Sequence, residues 1–242
     1  MIATMTVAQP YEDPGLSWEL SPPKKFKKSK RKQKHGDKSE NATVDAVVEH
    51  IATARLLSMP DSVRLLVCSI GNPGQYINTL HSAGHTVLNA LAANLSYPSF
   101  AKSKQHGNGL LSQGGDYTLW QSSSLMNISG AGVATAYRQF IKELRGEEGR
   151  LVVVHDELEL ALGQVNVKDG AASPKGHNGL KSIKEQMRGV PWTRIGVGIG
   201  RPMSREPDVV AGFVLRKMSG VERVKIEGCV GAVEMQLRKM AG

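Results

Sequence analysis

Cysteine is scarce in this chain: the 242 residues contain two, Cys68 and Cys229. That is too few for a disulfide framework or a metal knuckle, so a reducing compartment is the simpler reading. Long apolar runs are also lacking. Nothing reaches the roughly 18 to 20 residues that a membrane-spanning helix needs, and there is no signal-peptide apolar region. A soluble chain with no membrane partner is therefore expected. Several motifs are missing as well. GxGxxG and GxxxxGK[ST] are absent, and Gly196, Gly198 and Gly200 fall within or at the end of an expected strand rather than opening a helix, which disfavours redox and phosphoryl-transfer chemistry. No serine sits in a GxSxG elbow, so covalent acyl chemistry lacks its usual support. His81 and His85 have i, i+4 spacing, but without an HExxH glutamate or a nearby third ligand zinc is not expected.

What is present divides into a body and an appendage. With 40% hydrophobic residues the chain can bury one good core, but its early segment is too polar to join it. The net charge of +9 is shared: residues 1–44 hold nine Lys/Arg and five Asp/Glu, and the remainder is basic too. PPKKFKKSKRKQKHGDK, Pro22 to Lys38, is a lysine cluster that cannot fold by itself, so residues 1–44 are expected to be a disordered arm. Unspecific RNA affinity and a nuclear address both fit that arm; a mitochondrial transit peptide fits less well, because the first twenty residues hold Glu12, Asp13 and Glu19 and no arginine. The cytosol is the expected compartment. Val44, Val47, Val48, Ile51 and Ala54 suggest a short amphipathic helix over 44–57, so 45–60 is read as helix and linker and 61–242 as the folded domain.

In the body, strands and helices alternate. The apolar run Val63 to Ile70 reads as a doubly buried strand, followed by a turn at Gly71-Asn72-Pro73-Gly74 and a helix from His81 to Leu95. YTLWQ (117–121), LVVVH (151–155), Gln164 to Lys168 and RIGVGI (194–199) read as further strands, and Gly130 to Leu144 as a helix. Ser219 and Glu222 have capping-box spacing before a final helix reaching about Lys239. The fold class is α/β: one domain, a twisted mixed sheet flanked by helices on both faces.

Polar residues gather at the strand ends. Asn72 follows the first strand, Asn127 follows YTLWQ, Asp156 follows LVVVH, and His177 and Asn178 stand at a helix start. Each has an ordinary reading: a solvated turn for Asn72, helix caps for Asn127 and Asn178, a solvated carboxylate for Asp156. In an open α/β sheet, however, the carboxyl ends of strands converge on one crevice. A histidine oriented by a carboxylate is a general base near neutral pH, and asparagine amides grip a peptide backbone or a developing oxyanion without charge. That set suits hydrolysis of an activated ester.

GNPGQYINTLHSAGH, SSSLMNISG, VVVHDELEL, KGHNGLKS and RIGVGIGRP, in this order, resemble the bacterial-type peptidyl-tRNA hydrolase family over about Val63 to Lys239. The resemblance implies a single α/β domain that cleaves the ester joining a peptide to the tRNA 3′ ribose, with peptidyl-tRNA as partner and no metal or organic cofactor; a monomer is expected. By the same resemblance His81 matches the base and Asp156 the carboxylate that orients it. Asn72, Met126, Asn127, His177 and Asn178 match substrate-pocket residues, and Lys168 matches half of a basic pair for the tRNA 5′ phosphate. The family arginine of that pair falls on Gly196, and Arg194, two residues earlier on the same strand face, is the candidate substitute. Leu80 and Ser82 replace a family arginine and asparagine beside the base, the loop from Asn72 is one residue shorter, and Gly170 to Lys175 is stiffer and more basic than a glycine loop. Two other readings remain: a catalytically silent RNA-binding protein on this fold, like the chloroplast intron-splicing factors, and a hydrolase of small esters. Retention of the His/Asp/Asn set weighs against the first, and the basic surface and absent nucleophile against the second.

Overall fold

The computed structural model describes residues 63–242; the expected arm at 1–44 and helix at 44–57 lie outside them. Seven strands form one sheet: β1 (Arg64–Ser69), β2 (Ala101–Lys102), β3 (Leu110–Gln113), β4 (Tyr117–Gln121), β5 (Gly149–Glu157), β6 (Val165–Asp169) and β7 (Thr193–Gly198). Their order is β2-β3-β4-β1-β5-β7-β6. The central four, β4, β1, β5 and β7, run parallel, while β3 with β2 on one edge and β6 on the other pair antiparallel. The helices are α1 (Ala83–Asn94), α2 (Ser129–Glu143), α3 (Asn178–Gln186), α4 (Pro207–Leu215), α5 (Gly220–Glu227) and α6 (Val230–Ala241).

The unbroken apolar sequence of β1 follows from cover on both faces. Leu65 and Val67 join one core cluster with Leu88 and Leu91 of α1 and Val233 and Leu237 of α6. Leu66 and Cys68 join the opposite cluster with Val133 and Phe140 of α2 and Leu180 and Ile183 of α3. The mixed sheet between helical layers is the one expected from the sequence.

Several boundaries differ from the sequence reading. β5 continues through Glu157, so Asp156 belongs to the strand rather than to the turn after it. His81 lies in a 3-10 turn, Leu80–Ser82, ahead of α1. The single helix expected after Ser219 is two helices interrupted at Gly228 and Cys229, although the Ser219/Glu222 capping box is present with both of its bonds. The short edge strands β2 and β3 and the apolar helix α4, which opens with Pro207, were not anticipated. Two approaches matter for the site. A Cβ on Gly84 would lie 2.6 Å from the Val154 carbonyl oxygen, so glycine there lets the start of α1 sit directly on β5. The loop from Asn72 to His81 is fastened by the fully buried Leu80, whose N–H donates to the Arg216 carbonyl at 3.2 Å, while the Met218 N–H donates to the Asn78 carbonyl at 2.9 Å.

Candidate active site

The parallel strands end at one side of the sheet, and a cleft of about 740 Å³ opens there. Its floor holds Asp156 near the end of β5, 2% exposed, which would be a costly place for a carboxylate without donors. Two imidazoles supply them. His81 Nδ1 lies 3.0 Å from both carboxylate oxygens, and His177 Nε2 lies 3.0 Å from Oδ1. The tautomers follow from the partners. An ionised carboxylate only accepts, so His81 carries a hydrogen on Nδ1 and the neutral ring leaves Nε2 as an unshared base. His177 Nδ1 accepts from Leu180 N–H at 3.3 Å, which places its hydrogen on Nε2, toward Asp156. His177, rather than Asn178, is thus the side chain that caps α3.

The electrostatics agree with this pattern. Burial works against protonation of His81, but the Asp156 charge and hydrogen bond outweigh it and raise the imidazole above its ordinary value. Burial would raise Asp156, but the two histidines hold it well below the usual carboxylate range. The same three side chains, His81, Asp156 and His177, offer one ligand atom each within 4.8 Å of one another. Their hydrogen bonds already satisfy these atoms as a proton-carrying array, in which both nitrogens facing the carboxylate hold hydrogens rather than lone pairs.

Met126, Asn127, His177, Asn178 and Arg194 also line this cleft. Asn127 stands in a 3-10 turn ahead of α2 and Asn178 is the first residue of α3, and both amides are exposed. Asn72 is set back. It is 6% exposed, and its Oδ1 accepts from Met126 N–H at 2.9 Å, so it ties the end of β1 to the turn that carries Asn127.

The two residues read as a basic pair lie side by side but are engaged within the protein. Lys168 and Arg194 are cross-strand neighbours on β6 and β7. Lys168 Nζ is 2.9 Å from Glu157 Oε2, and it does not line the cleft. Arg194 is 3% exposed, with Nη2 donating to the Ser173 carbonyl at 2.8 Å, which supports the loop above it. Gly196 has no room for a side chain: an added Cβ would lie 2.6 Å from Asn166 Oδ1 and 3.0 Å from Glu157 Cβ. Two cations not singled out from the sequence, Lys175 and Arg205, line the cleft, are exposed, and have no side-chain acceptor among the described residues. Lys175 also holds a positive φ of 46°, a strained backbone for a lysine.

Other lining residues escaped the sequence reading. His155 is buried at the back of the cleft with Nδ1 2.7 Å from the Asp156 carbonyl oxygen; burial foremost, then the neighbouring His177, lowers it to about 3. Val210, Val214 and Leu215 of α4 form an apolar wall. The available signal was PDVVAGFVL itself, an apolar run behind a proline suited to the first helical turn.

A family model described as peptidyl-tRNA hydrolase matches residues 66–242. A peptidyl-tRNA hydrolase of Rhodococcus opacus is 37% identical over 181 residues, covering 72% of this chain and 91% of that protein. A probable peptidyl-tRNA hydrolase of Schizosaccharomyces pombe is 32% identical, covering 75% and 82%. The crystal structure of peptidyl-tRNA hydrolase from Acinetobacter baumannii superposes with a TM-score of 0.61 at 27% identity, covering 76% of this chain and 91% of that one.

Proposed function

The chain belongs to the peptidyl-tRNA hydrolase family, hydrolases of the ester between a peptide and the tRNA 3′ ribose, and we propose that His81, oriented by Asp156, is its general base. The observation that carries this assignment is the Asp156 carboxylate bonded to His81 Nδ1, which leaves Nε2 as the lone-pair nitrogen at the cleft. Nε2 removes a proton from water as the water oxygen attacks the ester carbonyl carbon. The carbonyl oxygen takes up the negative charge, and the exposed amides of Asn127 and Asn178 supply neutral donors for it. When the intermediate collapses, the bond from carbonyl carbon to ribose oxygen breaks, and the imidazolium returns its proton to that oxygen. Peptide carboxylate and free tRNA result. Asp156 stabilises the imidazolium between the two proton transfers.

The cleft offers a substrate of this mixed kind two surfaces. The apolar wall of α4 suits peptide side chains, and Lys175 and Arg205 suit phosphates of the single-stranded tRNA 3′ end; Lys168 and Arg194 are the pair the family resemblance assigns to the tRNA 5′ phosphate. Among the described residues no helix is long and apolar enough to cross a membrane, and the proposed setting is a monomer in the cytosol. The proposed domain division is the arm at 1–44, the helix and linker at 45–60, and the catalytic domain at 61–242.

The test is turnover of N-blocked aminoacyl-tRNA by the full chain. His81→Ala is expected to lower kcat by roughly 10²- to 10⁴-fold, the usual contribution of a positioned base, with tRNA affinity retained. Undiminished turnover in that variant would remove His81 from the mechanism. Binding by the parent chain without turnover would instead favour a silent RNA binder.

A further inference from the structure

Beneath the turn that carries Asn72 lies a second group of polar side chains that the mechanism does not use. Ser82 directly follows the base, and His85 stands three residues further on, the spacing that puts two side chains on one helix face. Ser82 is fully buried and His85 is 5% exposed. Ser82 Oγ accepts from Asn72 N–H at 3.0 Å and donates its single hydrogen to the Tyr76 carbonyl at 2.9 Å. His85 Nδ1 lies 2.7 Å from Ser69 Oγ. A Cβ on Gly71 would fall 2.5 Å from His85 Cδ2 and 2.6 Å from its Nε2, so the ring packs directly under the Gly71 Cα. The strand-end turn is therefore held at Ser69, at Gly71 and at Asn72.

Resting on the reading of His81 as base, we infer that Ser82 and His85 are positioning residues that clamp the Ser69–Asn72 turn and so set Asn72, and through it the Met126–Asn127 turn, at a fixed place relative to His81. The linkage is short: the residue after the base holds the Asn72 N–H, and Asn72 Oδ1 holds the Met126 N–H. Neither residue is a nucleophile or base in its own right. Ser69 and Ser82 are fully buried, His85 Nε2 is buried with no partner among the described residues, and none of the three lines the cleft. The clamp also gives a role to one departure from the family pattern, because a serine where the family has asparagine still supplies the acceptor that the Asn72 N–H needs.

The clamp predicts which effects combine. Ser82→Ala should lower kcat roughly tenfold, the worth of one well-placed hydrogen bond, with KM little changed. Ser82→Thr, which keeps the hydroxyl, should recover most of the loss. In an Asn72→Ala background Ser82→Ala should cost little more, because its effect passes through Asn72. Exchange of the Met126 amide hydrogen should be faster in Ser82→Ala than in the parent, a readout that needs no turnover. Additive losses in the double variant, parental kcat in Ser82→Ala, or unchanged Met126 exchange would each overturn the clamp. Failure of the base reading would appear elsewhere, as full activity in His81→Ala with Met126 exchange still sensitive to Ser82.

Discussion

His81 and His85 are four residues apart on one loop-to-helix segment, and the two regions they enter give them opposite chemistry. At the cleft floor, burial alone would suppress protonation of His81, but the Asp156 carboxylate at 3.0 Å turns the balance and raises it. In the chamber under the Gly71 turn, His85 meets the same penalty of burial with a neutral serine hydroxyl at 2.7 Å, and it is lowered to about 4. His155 sharpens the contrast. It is adjacent to Asp156 in sequence, yet its ring bonds the Asp156 backbone carbonyl rather than the carboxylate, and it is lowered to about 3. Depth in the fold does not make a histidine a base, and neither does nearness to an acid along the chain; a carboxylate bonded to the ring does.

Asp156→Asn breaks this comparison most severely, because it removes the charge that sets His81 apart from His85. The neutral amide no longer offsets the burial of His81, so the imidazole should drift toward the behaviour of His85 and lose its fixed tautomer. We expect kcat to fall by at least roughly 10²-fold. Activity needs His81 unprotonated, so the parental acid limb, measured as kcat/KM, should have a midpoint above the ordinary 6.5. In Asp156→Asn the residual activity should show that limb displaced to lower pH. An unmoved limb would mean that Asp156 does not set the base.

The sequence made one side of this contrast far more legible than the other. β1 and β5 announce themselves as apolar runs, because strands covered on both faces are built mostly from apolar residues, and the few polar side chains they bury, such as Asp156, need a partner. Asp156 and His81 were legible as a pair because a parallel sheet gathers its strand ends. The clamp was not: Ser82 was visible as a departure from the family pattern, but nothing local says that its hydroxyl faces the Asn72 amide ten residues earlier. Asn72 was placed with the substrate-contacting residues, and its side-chain Oδ1 is engaged by the Met126 backbone N–H 54 residues away. Helix α4 was missed because an apolar run with one buried residue lacks the stripe that marks an amphipathic helix.

The cations repeat the comparison with the sign of its consequence reversed. Lys168 has a carboxylate, Glu157, at 2.9 Å and Arg194 is buried against a carbonyl, whereas Lys175 and Arg205 line the cleft with no acceptor among the described residues. Pairing equips a histidine for proton transfer, but it diverts a lysine from phosphate. Lys175→Ala and Arg205→Ala should each raise KM several-fold and flatten the dependence of log affinity on log salt by about 0.7 to 0.9, the increment for one phosphate contact. Lys168→Ala should change the slope less. A larger slope change from Lys168 than from Lys175 would return the phosphate role to the pair inferred from family resemblance.

The smallest effect isolates His85 by thermodynamic linkage rather than by rate. Its folded value, about 4, lies below the unfolded value of 6.5, so as the pH falls through 6.5 the unfolded chain takes up a proton that the folded chain refuses. Stability should therefore decline between 6.5 and 4, by up to about 1.4 kcal/mol per pH unit for each such histidine. His155, lowered to about 3, contributes a second decline of the same sign over this range. His81 is raised, so its favourable contribution is fully present below 6.5 and is lost only as the pH rises through its folded value, outside the window. Urea unfolding at pH 6 and pH 5 should thus find the parent losing stability with acid, and His85→Asn should lose roughly half as much over the same interval. Equal losses would show that the ring under Gly71 titrates freely, and the contrast with His81 would then rest on accessibility to the cleft rather than on protonation.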